Sequence, residues 1–235
     1  MIAPTCEKGV HPMKCSRILS VIFALALVLF LLTAAISLPI YIRGFYYAHI
    51  DAMELPALTG HTKEEIVEAY DQVLDYLTKP NREFGTGVFP FSPEGAAHFA
   101  DCKVLFDLNR NVLLLSAILL ALLFLLQKQG KTGPYRLGRR SAAFWAAVVA
   151  VVLPIVIGSL AALNFDRAFV IFHSIFFPGK DNWLFDWYAD AIIQVLPQDF
   201  FMNCAIAIGG GLLVMSLLVL ILDHFTEKAL GKRDS

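Results

Sequence analysis

The sequence predicts an all-α membrane protein in which four transmembrane helices form a bundle beneath a small extracytoplasmic, mainly helical cap. Three observations predict it. Hydrophobic residues make up 57% of the 235 and charged residues only 17%, with a mean hydropathy of +0.64, a composition foreign to soluble domains of this length. Four charge-free runs, at 18–42, 111–127, 141–165 and 200–222, are each about 17 to 25 residues long, enough to cross ~30 Å of hydrocarbon as helix. Basic residues, finally, are distributed unevenly. The stretch 128–140 carries Lys128, Lys131, Arg136, Arg139 and Arg140 and no acid, whereas 43–110 holds six basic against eleven acidic residues and 164–199 two against five. Because Lys and Arg in short loops favour the cytoplasmic side, both termini and 128–140 are expected inside.

The elements follow in chain order. Residues 1–17 form a cytoplasmic amino-terminal segment with Lys8, Lys14 and Arg17, and with Cys6 and Cys15 in a reducing compartment. The first span, 18–42, follows a basic flank as a signal peptide would, but it is longer than the 7–15 residues of a cleaved apolar region and is expected to stay. The cap occupies 43–103. Within it, Thr62 and Glu65 have capping-box spacing, and Ile66, Tyr70, Val73, Leu74 and Leu77 make an apolar stripe at helical period, so an amphipathic helix is expected to about Thr78, short of Pro80. Residues 85–91, GTGVFPF, are turn-rich. Ser92-Pro93-Glu94 then supplies an N-cap, a first-position proline and a first-turn acid for a second helix that runs on into the second span, 104–127. That start places Asp107 and Arg110 one turn apart inside the helix.

After the cytoplasmic loop 128–140 comes the third span, 141–165, with Pro154 and Gly158. The extracytoplasmic interfacial loop 166–199 contains a charge-free stretch at 168–179. At about 12 residues, or ~18 Å of helix, it is too short to span and reads as interfacial or re-entrant. The fourth span, 200–222, carries Gly209–Gly211, suited to close helix packing, and a tail, 223–235, returns to the cytoplasm. Cys102 and Cys204 fall near the outer ends of spans, where a disulfide depends on geometry that sequence does not set.

No GxSxG elbow, HExxH, P-loop, acyltransferase His-x4-Asp or CxxC pair occurs in the chain. The residues that invite chemistry are two histidines beside apolar sequence, His98 and His173; His49 and His61 lie in more polar sequence. His98 and Asp101 stand at i,i+3, on one helical face, where a carboxylate can orient the ring or raise its basicity. Two plainer readings stand beside this one: an interfacial histidine among phenylalanines is commonly a hydrogen-bonded packing residue, and Trp183, Phe185 and Trp187 have the composition of an aromatic belt. Metal ligation by His98 and Asp101 lacks a third and fourth ligand, so no metal and no cofactor are expected.

The strings YDQVLDYL (70–77), FPFSPEGAAHFADCKVLF (89–106), ALNFDRAFVIFHSIFFPGKDNWLFD (162–186) and LPQDFFMNCAIAI (196–208) resemble the pattern of a bacterial family of four-span integral membrane proteins that includes the lipoprotein intramolecular transacylases. The likeness runs from 18 to about 222 and is closest to the family's clostridial-type members. Its most specific parts are the block from Glu94 to Lys103 and the block Phe172-His173-x2-Phe176-Phe177. Cys102 departs from the pattern, standing where valine is more usual.

The resemblance implies an enzyme of the bacterial cytoplasmic membrane that moves the sn-2 acyl chain of a diacylglyceryl lipoprotein to the α-amine of that lipoprotein's own first cysteine, giving the lyso-form. Its partners would be membrane lipids and diacylated lipoproteins, not nucleic acid. Ester and amine sit on one substrate, so the reaction calls for proton transfer and oxyanion stabilisation and no enzyme nucleophile. On this implication His173 transfers the proton, and His98, oriented by Asp101, is the second acid or the oxyanion donor. Arg167, Asp166, Lys103, Tyr46 and Trp183 would hold the ester and the cysteine backbone. The active site is expected on the outer face, at the membrane–water interface where acyl esters lie. The alternative is a non-enzymatic scaffold holding a lipid or partner protein. A small transporter is disfavoured because the spans hold little that is polar beyond Ser116, Ser159 and Ser216.

Overall fold

The computed structural model of the protein describes residues 16–231. Cys6, Cys15, Lys8, Lys14, Lys232 and Arg233 lie outside the described residues. In chain order the elements are α1 (Arg17–Tyr41), α2 (Arg43–Ala52), α3 (Leu55–Thr59), α4 (Lys63–Thr78), α5 (Pro93–Lys128), β1 (Arg136–Leu137), β2 (Arg140–Ser141), α6 (Ala142–Leu163), α7 (Phe165–Phe176), a 3-10 turn at Ala191–Gln194, and α8 (Gln198–Gly231). Helices α1, α5, α6 and α8 are each long and apolar enough to cross a membrane. The chain divides into two compact units, and the division falls within all four of these helices.

Among the described residues, one unit comprises 16–32, Val112–Val152 and 212–231. Here β1 and β2 pair antiparallel, Arg136 with Ser141 and Leu137 with Arg140. Tyr135, just ahead of this hairpin, stacks on Phe23 of α1 with ring centroids 5.0 Å apart, and its hydroxyl donates to the Leu123 carbonyl of α5 at 2.8 Å. The Arg136 amide donates to Ser20 Oγ at 3.0 Å, while its guanidinium grips the Glu227 carboxylate of α8 through both oxygens, at 2.7 and 2.9 Å. A loop that sequence reads only as basic is thus pinned to three helices. Helix α8 continues well past 222, to Gly231, and the Arg136–Glu227 pair ties this extension to the hairpin.

The other unit, Thr33–Asn111 with Leu153–Gly211, holds the cap. Helix α4 begins at the expected capping box: Thr62 accepts from the Glu65 amide at 3.2 Å and Glu65 from the Thr62 amide at 2.9 Å. Its stripe of Ile66, Tyr70, Val73, Leu74 and Leu77 is buried, each large aliphatic side chain contributing on the order of 1.5–3 kcal/mol by leaving water. The stripe packs on α2 and on the chain around the 3-10 turn. Tyr46 stacks flat on Tyr70 at 3.7 Å and donates to the Val195 carbonyl at 2.7 Å. The short helices α2 and α3 carry no strong periodic signal and form by docking on this core. In the same unit Asn109 Nδ2 of α5 donates to Ser37 Oγ of α1 at 3.0 Å, Arg110 pairs with Asp107 at 2.8 Å, and a Cβ on Gly211 of α8 would run into the Leu38 side chain. Cys102 and Cys204 are free thiols.

Candidate active site

The site is built from α5, α7 and the chain that follows α7. Ser92 caps α5, its hydroxyl accepting from the Gly95 amide at 2.9 Å. The Ser92 cap is itself held by the buried Asp190 carboxylate, which accepts from the Ser92 amide at 2.8 Å and from its hydroxyl at 3.1 Å. Gly95 is the residue that lets Asp190 come so close, since any Cβ there would collide with the carboxylate. This anchor fixes the first turns of α5 ahead of the charge-free span and aims His98 and Phe99 inward. Both are buried.

Helix α7 is the short apolar segment the sequence singles out. Asn164 caps it by accepting from the Arg167 amide at 2.9 Å. Its last turn carries His173, buried with only 6% of its surface exposed, whereas its helical neighbours Phe172, Ile175 and Phe176 are exposed. At 12 residues, or ~18 Å, the helix is too short to cross ~30 Å of hydrocarbon.

The two histidines come together. Their ring centroids are 5.7 Å apart. His173 Nδ1 lies 2.8 Å from the Phe169 carbonyl, which can only accept, so Nδ1 carries the proton and Nε2 is left basic. Its ring stacks on Trp183 at 4.4 Å. His98 sits against Phe177 and Phe185, at 4.9 and 5.4 Å, with Nε2 lying 3.4 Å from Cys102 Sγ. Burial pushes the His98 imidazole down to about 4, and the neighbouring His173 pushes it further the same way than Asp101 lifts it. Burial also lowers His173, opposed by its bond to Phe169. Burial thus favours the neutral form of both rings, and a proton on one discourages a proton on the other.

The other sequence-predicted site residues divide. Trp183 belongs to the pair's wall, and with Phe185 it turns inward, while Trp187 stays exposed. Asp101 is one turn beyond His98, but its carboxylate is taken by Lys180 Nζ and by Asn182 Nδ2, the latter at 3.1 Å; Lys180 first and Asn182 next hold it below the usual carboxylate range. It does not bond the ring directly. Tyr46 is fully buried, and its hydroxyl donates to the Val195 carbonyl. Lys103 donates to the carbonyls of Tyr76 and Lys79 and so ties down the end of α4. Asp166 accepts from Gln198 Nε2 at 2.6 Å, joining the starts of α7 and α8. The Arg167 side chain is exposed and makes no contact with the histidines among the described interactions.

A family model for the lipoprotein intramolecular transacylase Lit matches residues 21–201 of the chain, more than half of its length. The chain belongs to the lipoprotein intramolecular transacylase family. The fold agrees: the solved structure of the membrane-integral transacylase Lit from Bacillus cereus superposes with a TM-score of 0.83 at 26% identity, covering 93% of this chain and 98% of that one. Two further structures of the same relative, in which one histidine is replaced by alanine or by arginine, give a TM-score of 0.78 at 26% and 25% identity. No curated protein matches. Membership makes the chain a membrane-integral acyl-transferring enzyme, and the sequence-level alternatives of a passive scaffold or a transporter fall away.

Within this transacylase fold, sequence reading missed Asn182 and Lys180. They stand 81 and 79 residues from Asp101. A polar cluster, GKDN, inside an otherwise apolar loop was the available signal. Among the described residues no group of three or more His, Cys, Asp and Glu is arranged to hold a metal ion.

Proposed function

We propose that the paired imidazoles of His98 and His173 carry out an intramolecular transfer of the sn-2 acyl chain of a diacylglyceryl lipoprotein to the α-amine of its first cysteine. The observation that carries the reading is the juxtaposition itself: two buried imidazoles 5.7 Å apart, one with its tautomer fixed by a backbone carbonyl, set among aromatic rings of a transacylase-family fold. Exchanging an ester for an amide on one substrate requires an amine proton to leave and the glyceryl oxygen to gain one.

The substrate amine arrives as an ammonium. One imidazole takes its first proton and frees the lone pair, which attacks the ester carbonyl. His173 Nε2 takes the second proton as the C–N bond forms. The imidazolium of His98, made strongly acidic by its apolar surroundings, donates toward the oxyanion and then to the departing glyceryl oxygen as the C–O bond breaks. One proton is left over and returns to water, balancing ammonium plus ester against amide plus alcohol. Trp183 and Phe177 exclude water, which suppresses plain hydrolysis of the ester. Arg167, exposed in the first turn of α7, is suited to a substrate carbonyl or phosphate-level contact at the interface.

The site faces the extracytoplasmic side, with both termini cytoplasmic, on the strength of the basic 128–140 segment and the acidic cap. Diacylated lipoproteins and membrane lipids are the partners this arrangement admits. Mass spectrometry of lipoprotein amino-terminal peptides from cells with and without the protein tests the proposal. One N-linked and one O-linked chain are expected only when it is present, and two O-linked chains in both cases would refute it.

A further inference from the structure

We propose that Asn182 is a positioning residue: held by Asp101, its amide fixes the tautomer of His98 and thereby makes Nε2 the basic nitrogen of that ring. The inference rests on the reading of His98 as one of the reacting pair. It starts from two atoms: His98 Nδ1 and Asn182 Oδ1 are both buried, and neither has a hydrogen-bond partner among the described residues. An orphaned donor and an orphaned acceptor in one apolar pocket each cost on the order of 1–3 kcal/mol, unless they serve each other. The flanking residues put Asn182 beside His98, since Trp183 stacks on His173 and Phe185 packs on His98, and Asn182 counts among the groups that raise the His98 imidazole against its burial.

The direction of the bond follows from the far end of the amide. A carboxylate only accepts, so the Asn182 atom facing Asp101 Oδ2 at 3.1 Å must be the NH2 group. The amide oxygen then points the other way, toward His98, and it too only accepts. Hence His98 must present Nδ1–H to it. Lys180 on the other Asp101 oxygen keeps that carboxylate ionised and in place. In this arrangement Asp101 reaches the ring through Asn182, and His98 Nε2 is left unprotonated beside Cys102 Sγ at 3.4 Å. His173 reaches the same state by a different device, the Phe169 carbonyl. Both rings of the pair are thus poised with Nδ1 protonated and Nε2 free. The charged or titratable groups around His98 are His173 on α7, Asp101 and Cys102 on α5, and Lys180 in the loop.

Nitrogen-15 NMR of the full-length protein in micelles, with histidine labelled and His98 assigned by its loss in His98→Asn, reads the tautomer directly. The wild type is expected to show the Nδ1–H form of His98. Asn182→Leu, which removes the acceptor at similar volume, and Asp101→Asn, which lets the amide turn over, should both give a mixture, with kcat down on the order of 10-fold or more and KM little changed. Asn182→Asp keeps an acceptor oxygen, so it should retain the Nδ1–H form and move the acid limb of the pH profile upward. A His98 that stays wholly Nδ1–H in Asn182→Leu overturns the inference, as does a mixed tautomer in the wild type. Should the wild type transfer no acyl chain, the function assigned to the site fails, while the tautomer pattern still decides the role of Asn182.

Discussion

At the scale of single residues, the account places proton transfer on two rings and little else, and this separates chemistry from packing. His173→Asn keeps volume and a donor but cannot shuttle a proton, so it should lower turnover by at least ~10² with little change in folded protein. His98→Asn should behave alike, and the double variant should lose less than the product of the single losses, because both rings serve one transition state. Single-turnover assays beside thermal melts check this; a packing pair would lose stability and keep its turnover per folded molecule. The depressed His98 imidazole has a second consequence. Between its ordinary value of 6.5 and about 4, the unfolded chain binds a proton that the folded site refuses, so stability is present above 6.5 and falls as pH drops through that window. The melting temperature in detergent should fall from pH 6.5 to 4, and His98→Asn should flatten part of the fall. His98 and His173 were legible in the sequence as histidines in apolar context. Asn182 was not, because its meaning depends on a carboxylate 81 residues away, and the i,i+3 spacing of His98 and Asp101 gave no sign that this carboxylate is engaged by Lys180 and Asn182.

Among the elements, those whose sequence carries both a period and a punctuation mark were readable: α4 from its capping box and stripe, α5 from Ser92-Pro93-Glu94, α7 from its length. Helices α2 and α3 and the β1–β2 hairpin were not, since each is stabilised by docking and not by its own pattern. Tyr46 is a useful case. A tyrosine near the outer end of the first span suits a ligand contact, yet stacking on Tyr70 and a bond to Val195 commit it to the core of the cap. The α4 stripe is the element most open to test. Ile66 is wholly buried and Leu74 nearly so, so Ile66→Asp or Leu74→Asp should cost a few kcal/mol by setting a charge in an apolar core. Limited proteolysis should then cut within 62–78 while the four long helices stay in the membrane; unchanged protection of that segment would show that α4 is not held by its stripe.

For the whole molecule, composition and four charge-free runs sufficed for the class, and the family match over 21–201 carries the enzyme assignment. Orientation rests on charge asymmetry: a reporter fused after Gly130 should remain cytoplasmic, and reporters inserted at Gly60 or Gly179 should be exported. An exported Gly130 fusion would reverse the arrangement and put the histidine pair on the wrong side for lipoproteins. The path of the acyl chain tests the histidine pair most directly. Purified protein should be given an equal mixture of two diacylated lipopeptides with free first-cysteine amines, one carrying isotope-labelled acyl chains and the other a labelled peptide, and the products counted by mass spectrometry. In the wild type each molecule should keep its own two chains, one moved from oxygen to nitrogen, whereas in the His98→Asn/His173→Asn double variant both chains should stay O-linked. Chains crossing between labelled and unlabelled peptides, or no O-to-N transfer at all, would contradict this.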